Sequence, residues 1–386
     1  MPPRNEALAE PKVLAWARKK SGYDLEVAAQ KASVSPRSLE KWEAGEGHPS
    51  IKSLRRLAHA YRQSVAVFYL HEPPRDFPPI SDYRVAWGEE REQPSPELLA
   101  EIEQAHVRRE IALELLEEPP TFALRAHLAD DPNQVAARLR TALGVTGPEQ
   151  KAWPNTRAAF NSWRDAVEAL GVLVLQMTSV DPNEARGFSI ADRPMPVVVA
   201  NNRDPVGARS FTIIHELTHV ALHESGVCDV GGRTVGNIEP FCNHVAGAVL
   251  VPTAELLSTP TVETHGAETE WTDDELSRLA QVFRVSREVI LRRLLILGRT
   301  DDDFYRTKRR QLLAEWDRAR KGDDEQRWGP SPATVAVVRA GPSFSRLVLS
   351  NYYEGVINSS DVAQYLGVRM KHIPRIEQMI FGAAGG

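Results

Sequence analysis

Cysteine is nearly absent from this 386-residue chain: Cys228 and Cys242 are the only two. So few thiols exclude a disulfide framework and point to a reducing, cytoplasmic setting. Long apolar runs are missing too. No stretch approaches the roughly 18 consecutive apolar residues of a spanning helix, so no membrane association is expected. The opening, MPPRNEALAEPKVLAWARKK, lacks the basic-then-apolar order of a secretory signal. A strong excess of one charge is also lacking, with a net of −5, but the charge is unevenly placed. Residues 11–70 hold 11 Lys and Arg against 5 Asp and Glu, net +6, which leaves 36 against 47, net −11, for the remainder. A basic module on an acidic body is what phosphate binding would produce.

The clearest chemistry lies between Asp204 and Cys228, DPVGARSFTIIHELTHVALHESGVC. His215-Glu216-Leu217-Thr218-His219 is an H-E-x-x-H pattern. Residues i and i+4 of an α-helix share a face, so His215 and His219 can present both imidazoles to one metal ion. Glu216, one residue on, can reach a water on that metal. Asp204 suits an N-cap, Pro205 a first turn and Gly226 a stop. Phe211, Ile214, Leu217, Val220 and Ala221 form an apolar stripe that buries the helix. The pentapeptide alone also fits two core-facing histidines.

A catalytic zinc needs a third protein ligand and an open fourth position. His223 lies about 12 Å along the axis from His215, at about 1.5 Å per residue, which a straight helix cannot close. It reads as a residue behind the ligands, or a helix-end histidine beside the C-terminal dipole. Glu239 is the better third ligand, in the segment EPFCNHVAGAVLVP, residues 239–252. Pro240 suits a helix start and Pro252 its end, so Glu239 is expected at the N-terminus of a second helix. Val245, Ala248 and Val249 would pack that helix across the first. Asn243, one turn on, could orient a ligand histidine. The ordinary alternative for Glu239 is a surface acid favoured by the helix dipole.

HELTH followed by this second motif resembles the ImmA/IrrE family of metallopeptidases. The chain departs from the family pattern at Cys242, Val245, Val249 and Val251, all small or apolar. The resemblance implies that His215, His219 and Glu239 hold Zn2+ and that Glu216 is the general base. It also implies a protein substrate, often a repressor with its own helix-turn-helix, whose cleavage switches on stress-response or mobile-element genes.

Residues 11–70 read as five short helices. Asp24, Ser35 and Ser50 are expected caps, and Pro36 suits the first turn of the third. The segment AAQKASVSPRSLEKWEAG, with Pro49 and LRRLAHAY, is similar to the helix-turn-helix domain of XRE-type repressors. In that fold the third helix enters the major groove. Ser35, Arg37, Ser38 and Lys41 are the outward candidates for duplex DNA, and Val34, Leu39 and Trp42 for core. Asp24 and Glu26 depart from the phosphate-binding residues usual at the second helix. A helical bundle kept for protein contacts remains the alternative.

Pro73, Pro74, Pro78, Pro79, Pro94 and Pro96 mark a linker. Helices are expected over 97–118 and 128–144, as a spacer or a homodimerisation hairpin, and over 163–170. Strands are expected over 172–177, 186–191 and 196–201. Helix pairs are expected over 273–297 and 359–381, and a long charged helix followed by a loose connector over 301–340. Ala29-Gln30 before Val34, Ala280-Gln281 before Val285 and Ala363-Gln364 before Val368 share one spacing, the composition of a tight helical corner.

The expected fold class is α+β, mostly helical: a five-helix DNA-binding domain over 1–72, a linker and spacer over 73–149, a zinc metallopeptidase domain over 150–300 with a small antiparallel sheet and the HEXXH helix, and a helical region over 301–386. The expected function is zinc-dependent, site-specific cleavage of a repressor by a transcription regulator. The alternatives are a repressor or antitoxin-like regulator with a structural or regulatory zinc, and a general processing peptidase.

Overall fold

Short polar side chains start the N-terminal helices. Asp24 accepts from the Val27 amide, Ser35 from Ser38 and Ser50 from Ser53, giving first-turn N–H groups the acceptors that a helix cannot supply. The computed structural model describes residues 6–74, 94–222, 235–324 and 330–382. Its first helices are α1 (Pro11–Lys20), α2 (Leu25–Ala32), α3 (Pro36–Glu43) and α4 (Ile51–Ala60). The expected fifth helix is instead a 3-10 turn, Val65–Tyr69, which Ser64 starts by accepting from the Ala66 amide. Leu14, Leu39, Leu54, Leu57 and Phe68 close one core. Arg18 of α1 donates to both Glu43 carboxylate oxygens at 2.8 and 2.9 Å and so fixes α3.

Among the described residues, 6–74 and 94–106 form this first compact unit and the remainder a second. The helix α5 (Pro96–Leu115) gives its first part to one and its last to the other. Residues 107–149 are therefore not free spacer. Their helix α6 (Pro132–Leu143), shorter than expected, starts at its Asp131 cap and stops at Gly144 in the left-handed conformation. It buries Val135, Ala136, Leu139 and Leu143 in the main core of the second unit, because that stripe recurs at helical spacing. The helices α7 (Gly147–Ala152) and α8 (Thr156–Ala169) follow. The latter begins about two turns before Trp163, where Asn155 accepts from the Arg157 and Ala158 amides.

The three expected strands are β1 (Leu173–Met177), β2 (Gly187–Ile190) and β3 (Val197–Asn201). Their sheet is mixed rather than antiparallel. β3 lies in the middle, antiparallel to β2 and parallel to β1. The cause is the connection: β2 and β3 form a hairpin, while the chain from β1 passes over to the far side of β3. All five residues of β1 and of β3 are buried, so both faces are covered. The helix α9 (Val206–Leu222) packs across β2 and β3, and α10 (Val235–Leu250) packs on α6 and α9.

Two short helices, α11 (Thr253–Leu257) and α12 (Pro260–His265), lead to the pair α13 (Asp273–Phe283) and α14 (Arg287–Ile296). The charged helix is α15 (Asp302–Asp324). The loose connector is shorter than expected, since Ser331 caps α16 (Pro332–Ala340), which packs on β1. The helices α17 (Pro342–Tyr353), α18 (Ser359–Tyr365) and α19 (Ile373–Phe381) complete the unit. The three repeated Ala-to-Val segments form one corner. Each Val amide donates to the Ala carbonyl five residues back, at 2.9, 3.1 and 2.9 Å. Each is preceded by a left-handed residue, Ser33, Arg284 or Gly367. In the second copy α14 is buried at Val289, Ile290, Leu291, Arg292, Arg293 and Leu294, so no DNA groove can receive it. Among the described residues, no helix is long and apolar enough to cross a membrane.

Candidate metal centre and DNA-facing helix

The helix that carries the H-E-x-x-H motif is inside the protein, with every residue from Phe211 to Thr218 buried. Pro205, not Asp204, holds its first carbonyl, which accepts from the Ala208 and Arg209 amides. His223, Gly226 and Cys228 lie outside the described residues, as do Pro78 and Pro79 in the linker. Glu239 is not at a helix N-terminus. α10 starts at Val235, and Glu239 and Pro240 lie in its second turn. Pro240 costs one bond, to the Gly236 carbonyl, so the helix tolerates it this close to its start.

The fold brings His215, His219 and Glu239 together. The two Nε2 atoms are 3.1 Å apart. Glu239 Oε2 is 3.4 Å from His215 Nε2, and Oε1 is 3.2 Å from His219 Nε2. Tetrahedral zinc with bonds of about 2.0–2.1 Å separates its ligands by about 3.3–3.4 Å. The three measured edges match one face of that tetrahedron, so the residues fit a metal ion. Two imidazoles and a carboxylate are also the donor set of a catalytic rather than a closed site. The electrostatics agree. Burial pushes the Glu239 carboxyl up, but the two histidines outweigh it and hold it far below the usual carboxylate range. Burial lowers His219, yet Cys242, Glu239 and Glu216 together raise it well above an ordinary histidine. The cluster holds positive charge strongly.

Glu216 is 1% exposed. Its surroundings explain a glycine in β2 that the sequence analysis passed over. A Cβ on Gly187 would stand 2.4 Å from Thr212 Cγ2, 2.7 Å from the Val199 carbonyl and 3.2 Å from Glu216 Oε1. The strand thus passes against the motif helix beside Glu216, and only glycine allows the approach. Cys242 is fully buried, as its packing role predicts, but its thiol also lies close enough to His219 to help raise that histidine. It stands one helical turn after Glu239, a spacing that could have signalled the contact. Asn243 is buried, and its Oδ1 accepts no hydrogen bond among the described residues, so it does not hold either ligand imidazole.

In the first unit, Arg37 and Lys41 project from α3 and are exposed. Ser35 and Ser38 are partly committed to each other. The Ser38 amide donates to Ser35 Oγ, and the hydroxyls are 2.7 Å apart. Leu39 is buried, and Val34 and Trp42 pack against the core. A groove beside the start of α3 adds basic residues that sequence reasoning left out. Lys31, Lys52, Arg55, Arg56 and His59 line it with no carboxylate, and Arg56 reaches the Ser33 carbonyl at 3.5 Å.

Two family models match the chain. Residues 167–295 match the peptidase M78 family, described as the IrrE N-terminal-like domain. Residues 14–68 match the helix-turn-helix family. Among curated proteins, none matches the chain.

Proposed function

We propose that this chain, which joins a helix-turn-helix domain to a metallopeptidase-like domain, is a zinc-dependent endopeptidase that binds duplex DNA and cleaves a repressor protein. The observation that carries the reading is the triangle of His215, His219 and Glu239 with Glu216 buried beside it. In this reading His215, His219 and Glu239 hold the ion. Zinc, when bound, supplies a Lewis acid that lowers the pKa of water to about 7 and polarises a carbonyl. Glu216 takes the proton of the attacking water and passes it to the leaving amine. Burial keeps competing water away from that carboxylate. β2 is an outer strand with no further strand beside it among the described residues, and at Gly187 it touches Glu216. A substrate segment added along β2 would place its backbone beside the base. Arg37 and Lys41 are assigned to DNA, together with the basic groove beside α3.

The test compares protein fragments in cells carrying the native chain with those in cells carrying Glu216→Gln, before and after stress. A cleaved repressor seen only with the native chain supports the reading. Identical fragment sets refute it. A second reading, a regulator with a closed structural zinc, is favoured by the nearness of the Cys242 thiol to His219, although burial pushes that thiol up and so opposes its becoming a fourth ligand. It requires Cys242→Ala to lose the metal; the peptidase reading requires Cys242→Ala to keep it.

A further inference from the structure

A second site lies away from Glu216, on the far side of α10. A cavity of about 550 Å³ opens between α6 and the C-terminal end of α10, within the size range of small-molecule sites. Arg293 and Arg140 lie in its wall, with Asn133, Thr146 and Thr253. Ala136, Ala137, Val145, Ala248 and Pro252 give it an apolar side.

The guanidinium of Arg293 is completely buried. Its Nε donates to the Val251 carbonyl at 3.0 Å and its Nη2 to Thr253 Oγ1 at 2.7 Å. Its Nη1 is buried and makes no hydrogen bond among the described residues. Every acceptor it has is neutral. The nearby carboxylate, Glu255, belongs to its neighbours: it is 2.8 Å from Lys151 and 4.0 Å from Arg140. Asp131 is committed to the amides of Asn133 and Gln134. His244, on α10, meets Asn133 at 3.2 Å and adds no negative charge. Burial alone draws the Arg293 guanidinium down to about 10. A buried charge without a counterion is costly, and the cavity above it is where the counterion can sit.

We propose that this cavity binds a small molecule bearing a phosphate group, for which Arg293 is the counterion. Phosphate suits the wall: it would offer several acceptor oxygens at once to a guanidinium whose Nη1 has no acceptor among the described residues, and the Thr146 and Thr253 hydroxyls accept in the bonds they already make, so each keeps a proton to donate. The apolar side suits an organic phosphate. The site is placed to regulate. Arg140 bonds the Val249 carbonyl and Arg293 the Val251 carbonyl, so both grip the end of the helix that delivers Glu239. The proposal does not depend on the peptidase reading.

The test titrates the full-length chain by calorimetry with inorganic phosphate, with adenosine monophosphate, and with acetate at equal ionic strength. Arg293→Met removes the counterion, but it also breaks the bonds to Val251 and Thr253 and can unfold the chain. Ala137→Phe is therefore the main variant. Ala137 is exposed on α6, so a larger side chain there blocks the cavity without disturbing the core. Saturable phosphate binding is expected, about ten-fold or more weaker in Ala137→Phe with its circular dichroism unchanged, and absent for acetate. Tighter binding of the nucleotide assigns an organic phosphate, and phosphate alone the free ion. No saturable binding overturns the proposal. So does equal binding in Ala137→Phe, which would place the anion elsewhere, such as the basic groove beside α3.

Discussion

Adding one methyl group at Gly187 should damage the protein more than its size suggests. The new Cβ would sit 2.4 Å from Thr212 Cγ2, well inside contact distance. Thr212 is β-branched and on a helix, so its χ1 has little freedom to yield. The Val199 carbonyl, 2.7 Å away, belongs to the paired strand and cannot retreat without opening the sheet. The strand must therefore move off α9. Overpacking of this kind costs about 1–3 kcal/mol. In a domain of this size each kcal/mol lowers the melting temperature by about 2–4 °C, so Gly187→Ala should melt about 2–12 °C lower. Any part of the strain that α9 takes up instead displaces His215 and His219 relative to Glu239 on α10, and a metal site tolerates only about 0.2 Å. Metal affinity should fall with stability. Gly367→Ala is the control: its φ is +66° and nothing stands within 4 Å, so it should cost about 1–2 kcal/mol of backbone strain and leave the metal affinity untouched. Thermal melting and competition with a chelator measure both effects. If Gly187→Ala keeps the native melting temperature and affinity, the close approach of β2 to the motif helix is not real.

The metal centre makes a paired prediction. Glu239→Ala and His219→Ala should lose bound metal by elemental analysis, whereas Glu216→Gln should keep it and lose about 10²–10⁴ in hydrolysis; full retention in Glu239→Ala removes that residue from the ligand set. A pH effect should arise at Glu168, whose carboxyl burial raises to about 7 against the opposing Ser343 hydrogen bond and Arg164 charge. A raised folded value means its contribution is present below about pH 4.5 and lost as the pH rises through about 7. The native chain should therefore lose up to about 3 kcal/mol relative to Glu168→Gln between those values, and parallel stability curves by urea unfolding would contradict it. On DNA, Arg37→Ala should lower the slope of log affinity against log salt by about 0.9 in filter-binding titrations; an unchanged slope would show that Arg37 meets no phosphate. Operator DNA should also speed cleavage of a co-bound repressor, and the Arg37→Ala, Lys41→Ala double variant should abolish that gain; equal rates with and without DNA would refute guidance.

Local rules made much of the fold legible. Three strand positions, the caps at Asp24, Ser35 and Ser50, and the pair of helices over 273–297 follow from alternation, side-chain acceptors and helical spacing. These are short-range effects, so a window of sequence contains them. The errors came where one element meets another. The start of α10 before Pro240 was missed because proline is read as a helix opener, while in the folded chain it sits in the second turn. α6 was read as spacer, although its apolar stripe needs only a partner helix to become core. Cys242 was read as packing, and its contact with His219 depends on how α9 and α10 cross.

The sequence by itself determined which residues can be metal ligands, because i and i+4 on one helix is a local relation. It also determined the repeated Ala-to-Val corner, whose hydrogen bond spans five residues. Only the tertiary structure decided that Glu239 closes the triangle, that β1 runs parallel to β3, and that α14 is buried and so barred from DNA. It alone left Arg293 without an acidic partner among the described residues. Those outcomes rest on contacts between residues dozens of positions apart, and long-range packing has no period along the chain from which it could be read.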